Sequence, residues 1–363
     1  MTTDESYKEL YNELYRDALA LLKQLISIPS FSKQEEHTAQ AIRFFLSSKG
    51  VEINRSGNNI WAKNLYFDNS KKTILLNSHH DTVTPNRQYT KNPFSPIVED
   101  DKLYGLGSND AGGPLVALIA TFLYYYNRAD LNYNFVLAAT AEEENSGEGG
   151  IASIFEALPE IDFAIVGEPT IMRMAVCERG LLVLDCVAEG KAGHAARNEG
   201  ENALYKAIKD IDWLHTYKYE KVSELLGAVK TSVTVIETEN KLHNMVPSQC
   251  KFVADVRVNE LYSFEEVLKT IRENISSKVV ERSTKMRSTL IPLTHPLIKS
   301  GINLGIEYYG SPTTSDKAIM NFPALKMGPG DSARSHSADE FIYCSEIRAG
   351  IEIYINLLNG VVL

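Results

Sequence analysis

Three stretches of this sequence end in side chains that bind metal ions well: SHHD at 78–81, GLGSND at 105–110 and AEEEN at 141–145. The first follows a run of β-formers, Thr73 to Leu76, and on an extended backbone residues two apart point the same way. His79 and Asp81 therefore share one face and His80 takes the other. That arrangement suits an imidazole ligand that a neighbouring carboxylate orients and makes more basic. Asp110 stands in a glycine-rich turn before an apolar helix, and Glu142 to Glu144 come directly after the β-forming run NFVLAAT. A lone histidine near a strand end is usually structural, and a glutamate triplet is usually a solvated face. Three such positions close together, with no lysine or arginine in any of the motifs, point instead to a metal site of mixed imidazole and carboxylate character. Strand ends of an α/β sheet are where ligand sites usually form.

The elements that would position these groups alternate along the chain. Leu10, Leu14, Leu19, Leu22 and Ile26 predict an amphipathic helix over 6–27 that ends before Pro29. Ser32 and Glu35 read as the capping box of a second helix running through Leu46 and closed by Gly50. Strands are expected at 51–54, 59–66 and 73–77, then a hairpin over 97–104, a buried helix over 114–128 and a strand over 134–140. A helix near 150–158 and a strand at 163–166 follow, the latter delivering Glu168 at its end. This alternation predicts a mixed, mostly parallel sheet flanked by helices. From about residue 174 the texture changes. Strands at 181–188, 231–236, 251–258 and 283–290, with helices at 202–215 and 264–275, predict a smaller α/β sandwich inserted over 174–289 into a main domain made of 1–173 and 290–363. The main domain would close with helix 295–306, strand 324–327, the loop GPGDSARSHSADE that holds His336, and a helix over 341–358.

Composition narrows the function classes. Lysine plus arginine number 37 against 47 acids in 363 residues, a net charge of −10, and no basic cluster offers a footprint for a phosphate backbone. Nucleic acid is excluded as a partner on this ground. The start MTTDESYKEL lacks a secretory signal, and no apolar run approaches a membrane span. Cys177, Cys186, Cys250 and Cys344 show no CxxC pairing and read as reduced thiols of a cytoplasmic protein.

Taken in order, SHHD, GLGSND, AEEEN, VGEPT at 166–170, KAGHAAR at 191–197 and GPGDSARSH at 328–336 resemble the zinc-dependent amidohydrolase family of acetylornithine deacetylase, succinyl-diaminopimelate desuccinylase and aminoacylase. The resemblance spans nearly the whole chain. It implies a zinc-peptidase-like catalytic domain carrying a ferredoxin-like dimerisation domain. It also implies two Zn²⁺ per subunit, for which Co²⁺ can substitute: His79, Asp110 and Glu168 on one, and Asp110, Glu144 and His336 on the other, with Asp110 bridging. By the same resemblance Asp81 would orient His79, Glu143 would be the general base, and His194 would be an oxyanion donor supplied across a homodimer interface. A residue-level alternative for His194 is capping of a local turn. Asn244 and Arg257 match positions that meet the substrate's carboxylate, and Ser315 is placed in the same pocket. Arg257 could equally pair with Asp255. TTSD at 313–316 and the 328–336 loop imply an acetylornithine or acetylcitrulline deacetylase of arginine biosynthesis. Succinylated substrates, dipeptides and a non-catalytic amino-acid binder stand as alternatives. Ala111, Gly112 and Gly113 replace the family's usual Met-Lys-Gly, which leaves the acyl group open.

Overall fold

Four parallel strands form the centre of the main sheet in the computed structural model, which describes residues 3–197 and 199–361. In spatial order they are Asn134–Thr140, Thr73–His79, Phe163–Val166 and Ala324–Lys326. Asn59–Lys63 and Asn54–Ser56 extend one side in antiparallel fashion, and Met174–Glu178 the other. The sheet is mixed, as the alternation predicts, with a parallel centre and antiparallel strands towards both edges. Every residue of the strands Thr73–His79, Asn134–Thr140 and Phe163–Val166 is buried, which is why their middles read as continuous apolar runs, with polar residues only at the ends.

The helix Gly113–Tyr126 begins with Pro114 in its first turn, where a missing N–H costs nothing, and nearly all of its circumference is buried. Leu115, Leu118, Ile119 and Phe122 are among its fully or almost fully buried side chains, each contributing about 1.5–3 kcal/mol of transfer free energy. The helices Thr3–Ile26 and Cys344–Asn359 pack beside it.

Two compact units divide the chain. The larger comprises Met1–Val176, Ile291–Tyr309 and Ser315–Leu363, and the smaller Cys177–Leu290 and Gly310–Thr314. The smaller unit is a βαββαβ sandwich. Its strands Gly180–Glu189, Lys230–Thr238, Gln249–Val258 and Lys278–Glu281 lie in the spatial order second, third, first, fourth, all antiparallel, which is the ferredoxin-like arrangement. Strict alternation of buried and half-buried residues along Gly180–Glu189 turns Leu182, Leu184, Cys186 and Ala188 towards the core shared with helices Ala203–Thr216 and Phe264–Asn274.

Several local expectations need correction. Ser32 and Glu35 form no capping box: the helix Glu36–Ser48 has no side-chain cap, because the Ser32 hydroxyl donates to Asp81 Oδ2 at 2.7 Å and Glu35 accepts from Asn58. Residues 341–343 are a strand paired with Lys102–Tyr104, and the last helix starts only at Cys344. In place of a strand over 283–290, Lys278–Glu281 pairs with the strand Gly180–Glu189, and Thr289–Leu290 pairs with Cys177 and Glu178. The segment near 150–158 holds one 3₁₀ turn, Ile151–Ile154, where a helix was expected.

Candidate metal centre

All four parallel strands deliver a candidate ligand at or beyond their C-terminal ends. Thr73–His79 ends on His79; Asn134–Thr140 leads into Glu143 and Glu144; Phe163–Val166 leads to Glu168; and Ala324–Lys326 leads into the loop that carries His336. Asp110 reaches the same place from the turn between Gly107 and Gly112. Ligand atoms of His79, Asp110 and Glu168 lie within 4.8 Å of one another, and so do those of Asp110, Glu144 and His336. Asp110 divides its carboxylate between the two groups, with Oδ1 3.5 Å from His79 Nε2 and Oδ2 3.6 Å from His336 Nε2.

The environment of His79 tests whether a cation fits. Its Nδ1 lies 3.0 Å from the backbone carbonyl of Asp81, an acceptor only, so Nδ1 carries the hydrogen. Nε2 is buried without a hydrogen-bond partner and faces Asp110 Oδ1, Glu168 Oε1 at 3.7 Å and Glu143 Oε2 at 3.9 Å. A lone pair aimed at three carboxylates needs a positive charge between them. Burial alone would lower the His79 pKa, but Asp110 and Asp81 outweigh it and hold the ring well above its ordinary value. Burial drives Glu143 well above the carboxylate range, with Glu168 adding to the rise, and burial lifts Glu168 to about 8 although Lys326 opposes it. His336, hydrogen-bonded to Glu144 at 3.0 Å, is raised to about 9. The crowding of carboxylates around two imidazoles is what raises both histidines, and the donor set of imidazoles and carboxylates fits zinc or a similar transition ion better than calcium or magnesium. The first group is nearly closed to solvent. The second is more open, because the His336 side chain is 55% exposed.

Asp81 does more than face His79. Its Oδ1 lies 3.4 Å from His79 Nδ1, and its carboxylate accepts the backbone N–H of Glu143 at 3.1 Å, that of Glu144 at 3.2 Å and the Ser32 hydroxyl. Glu142, the first of the triplet, turns away. Its backbone is left-handed at φ 55°, and its carboxylate folds onto Gly147 and Gly149, where a Cβ would collide with it. His80 is a satisfied core histidine: burial lowers its pKa, and its ring bonds Thr38 Oγ1 at 2.9 Å and the Asn58 carbonyl at 3.0 Å. His336 also adopts a left-handed backbone, φ 58°, a strained conformation of the kind that persists where surrounding contacts over-determine it.

The remaining residues singled out in the sequence are placed as follows. His194 and Asn244 lie in the smaller unit, where Gly193–His194 pairs with Met245–Val246 and the Ala195 N–H donates to the Asn244 carbonyl at 3.0 Å. His194 Nδ1 also accepts the N–H of Ala196 at 3.2 Å, the local capping that its residue-level alternative describes. Arg257 sits on the strand Gln249–Val258 with its fork engaged by Asp255 at 2.7 and 2.9 Å, the alternative left open above. Ser315 is fully buried in the larger unit and caps a 3₁₀ turn by accepting the Lys317 N–H. Two residues given no site role from sequence support the centre: Ser32, expected to cap a helix, donates to Asp81, and the Glu340 carboxylate accepts N–H groups of the Asp110 turn. Glu340 carries a sequence signal, being an acid four residues after His336 in the same loop, but nothing in its spacing shows that it folds back onto residues 107–110.

Comparison with known proteins agrees with this geometry. The sequence model of peptidase family M20/M25/M40 matches residues 75–360. Succinyl-diaminopimelate desuccinylase of Orientia tsutsugamushi (strain Boryong) is 26% identical over 369 residues, covering 94% of this chain and 95% of its own length. The M20 family metallo-carboxypeptidase Sso-CP2 from Sulfolobus solfataricus shares the fold with a TM-score of 0.75 at 17% identity, over 94% of this chain and 98% of its own. The Bacillus subtilis YXEP protein, described as a dinuclear metal binding peptidase from the M20 family, does so with a TM-score of 0.69 at 14% identity, over 96% and 98%.

Proposed function

Because the chain belongs to peptidase family M20/M25/M40, a family of metal-dependent hydrolases, we propose that it is a two-metal amidohydrolase removing a short acyl group, succinyl ahead of acetyl, from the nitrogen of an amino acid. The observation that carries this reading is the division of Asp110 between the His79 and Glu168 group and the Glu144 and His336 group. Zinc fits these donors, with cobalt able to substitute. When bound, two such ions supply Lewis-acid charge beside the scissile carbonyl and lower the pKa of a water towards neutrality.

The chain's own residues complete the chemistry. Glu143 belongs to neither ligand group yet lies beside His79, so it takes the proton of the attacking water and returns it to the leaving amine. Asp81 holds both His79 and the backbone of Glu143. An oxyanion needs a donor from the protein as well, and His194 of a partner subunit is assigned that role, which makes the active unit a homodimer through the smaller unit. Asn244 is the stronger candidate for the substrate's carboxylate, since Arg257 would first have to release Asp255. Ser315, capped into its own turn, is given no substrate contact. The four cysteines are buried thiols, which fits a cytoplasmic setting.

The acyl group separates the readings. The motifs after residue 310 favour acetylornithine or acetylcitrulline and a place in arginine biosynthesis. The curated relatives that match along nearly the whole chain carry the desuccinylase name, and they weigh more than two short loops. A non-catalytic binder has no use for Glu143 beside five converged ligand groups. Steady-state kinetics of zinc-loaded protein on succinyl-diaminopimelate, succinylornithine, acetylornithine, acetylcitrulline and dipeptides test the proposal. The expected result is the highest kcat/KM on a succinylated amino acid; a higher value on an acetylated one or a dipeptide overturns the acyl assignment.

A further inference from the structure

Glu340 is an acid buried to 2% exposure whose carboxylate points at backbone and not at a cation-binding group. Its Oε1 accepts the N–H of Asn109 at 2.8 Å and of Asp110 at 2.9 Å, and its Oε2 accepts that of Gly107 at 3.0 Å. Its own carbonyl accepts the Gly105 N–H at 3.0 Å. These four donors are the turn that aims Asp110. The turn's own backbone bonds, Ser108 N–H to the Gly105 carbonyl at 3.1 Å and Gly112 N–H to the Gly107 carbonyl at 3.0 Å, leave the N–H groups of Gly107, Asn109 and Asp110 to Glu340; Gly107 is left-handed at φ 74°, a Cβ there would meet Thr82 Cγ2 at 2.6 Å, and Asp110 itself has non-helical torsions, φ −118° and ψ 98°. Buried N–H groups need acceptors, and this one carboxyl group supplies them to three consecutive or near-consecutive residues of the turn.

The same residue lies in the loop that carries His336. A second tie joins the two segments, where Asn109 Nδ2 donates to the Asp331 carbonyl and Asn109 Oδ1 accepts the Asp331 N–H, each at 3.0 Å. His79 and Glu168, in contrast, stand at strand ends fixed by the sheet ladder. The first ligand group therefore draws one of its three members from the Glu340-held turn, and the second draws two of its three from the segments Glu340 joins.

We propose that Glu340 is a positioning residue that holds the Asp110 turn against the His336 loop, so that the more open metal position depends on it and the buried one largely does not. This rests on the two-metal reading above. Loss of a group that orients metal ligands costs roughly 10- to 100-fold in metal affinity. The experiment is titration of metal-free protein with Zn²⁺ by calorimetry, and with Co²⁺ by visible absorption, on wild type, Glu340→Ala and Glu340→Gln. Wild type is expected to take up two ions. Glu340→Ala is expected to keep one at near wild-type affinity and lose the other by that factor. Glu340→Gln retains an acceptor oxygen for Asn109 and Asp110 and is expected to recover most of the loss. If Glu340→Ala does not fold, Glu340→Asp, too short to span the same gap, takes its place with the same expected outcomes. Two ions bound by the Ala or Asp variant as tightly as by wild type, equal weakening of both positions, or a Gln variant as weak as Ala overturns the role of Glu340 and leaves the two-metal reading standing. No metal uptake by wild type removes the two-metal reading itself.

Discussion

The backbone N–H of Glu143 donates to Oδ1 of Asp81 at 3.1 Å, so the proposed proton carrier is held by the carboxylate that also faces His79. Replacing Asp81 with Asn leaves one acceptor oxygen and turns an NH₂ towards donors that the second oxygen now serves. Asp81→Asn is expected to lose roughly 10- to 100-fold in activity or metal affinity. Kinetics at saturating Zn²⁺ separate the two: a deficit that excess metal does not repair reports misplacement of Glu143.

Glu143 itself is a carrier and not a ligand. Glu143→Gln is expected to bind two metals with unchanged stoichiometry while kcat falls by about 10²–10⁴-fold, the usual contribution of a general base. Metal analysis of the purified variant alongside its turnover checks both halves. Wild-type rates, or loss of a metal, would count against the assignment.

Metal uptake should release protons. In the metal-free protein His336 is raised to about 9 and Glu168 to about 8, so at pH 7 both carry a proton that a metal ion must displace. Apparent Zn²⁺ affinity is therefore expected to rise with pH until it passes those values, and to fall as pH drops. Calorimetry in two buffers of different ionisation enthalpy measures the protons released. Chelation should lower Tm, because the binding free energy of the native state is withdrawn.

His194→Ala is expected to keep both metals and lose turnover, since it removes a donor and no ligand. Mixing it with Glu143→Gln protomers should restore part of the activity if one subunit's His194 serves its partner's site. Size-exclusion or mass measurements confirm subunit exchange. A mixture that exchanges fully and remains inactive places His194 outside the partner's chemistry.

Much of this protein was readable from residue order. The buried parallel strands are legible as short runs of apolar β-formers, and Asn134–Thr140 and Phe163–Val166 have the limits the pattern gives them. His79, Asp110, the triplet Glu142 to Glu144 and Glu168 stand out because each follows a strand or a glycine-rich turn, while the choice of Glu144 and of His336 comes from the resemblance of the ordered motifs. Hydrophobic period and turn chemistry are local properties, so a single chain segment carries them. Other facts belong to segments far apart in sequence. Ser32 is a good helix cap by local rules, yet its hydroxyl serves Asp81, forty-nine residues on. Phe341–Tyr343 continues a helical pattern but forms a strand because Lys102–Tyr104 offers an edge to pair with. Glu142 and Glu143 are identical in type and adjacent, and only the left-handed backbone at Glu142 decides which one faces His79. Glu340 reaches the Asp110 turn across some two hundred and thirty residues. Local propensity fixes what a segment can be; which polar group meets which is settled by partners that only folding brings within hydrogen-bond reach.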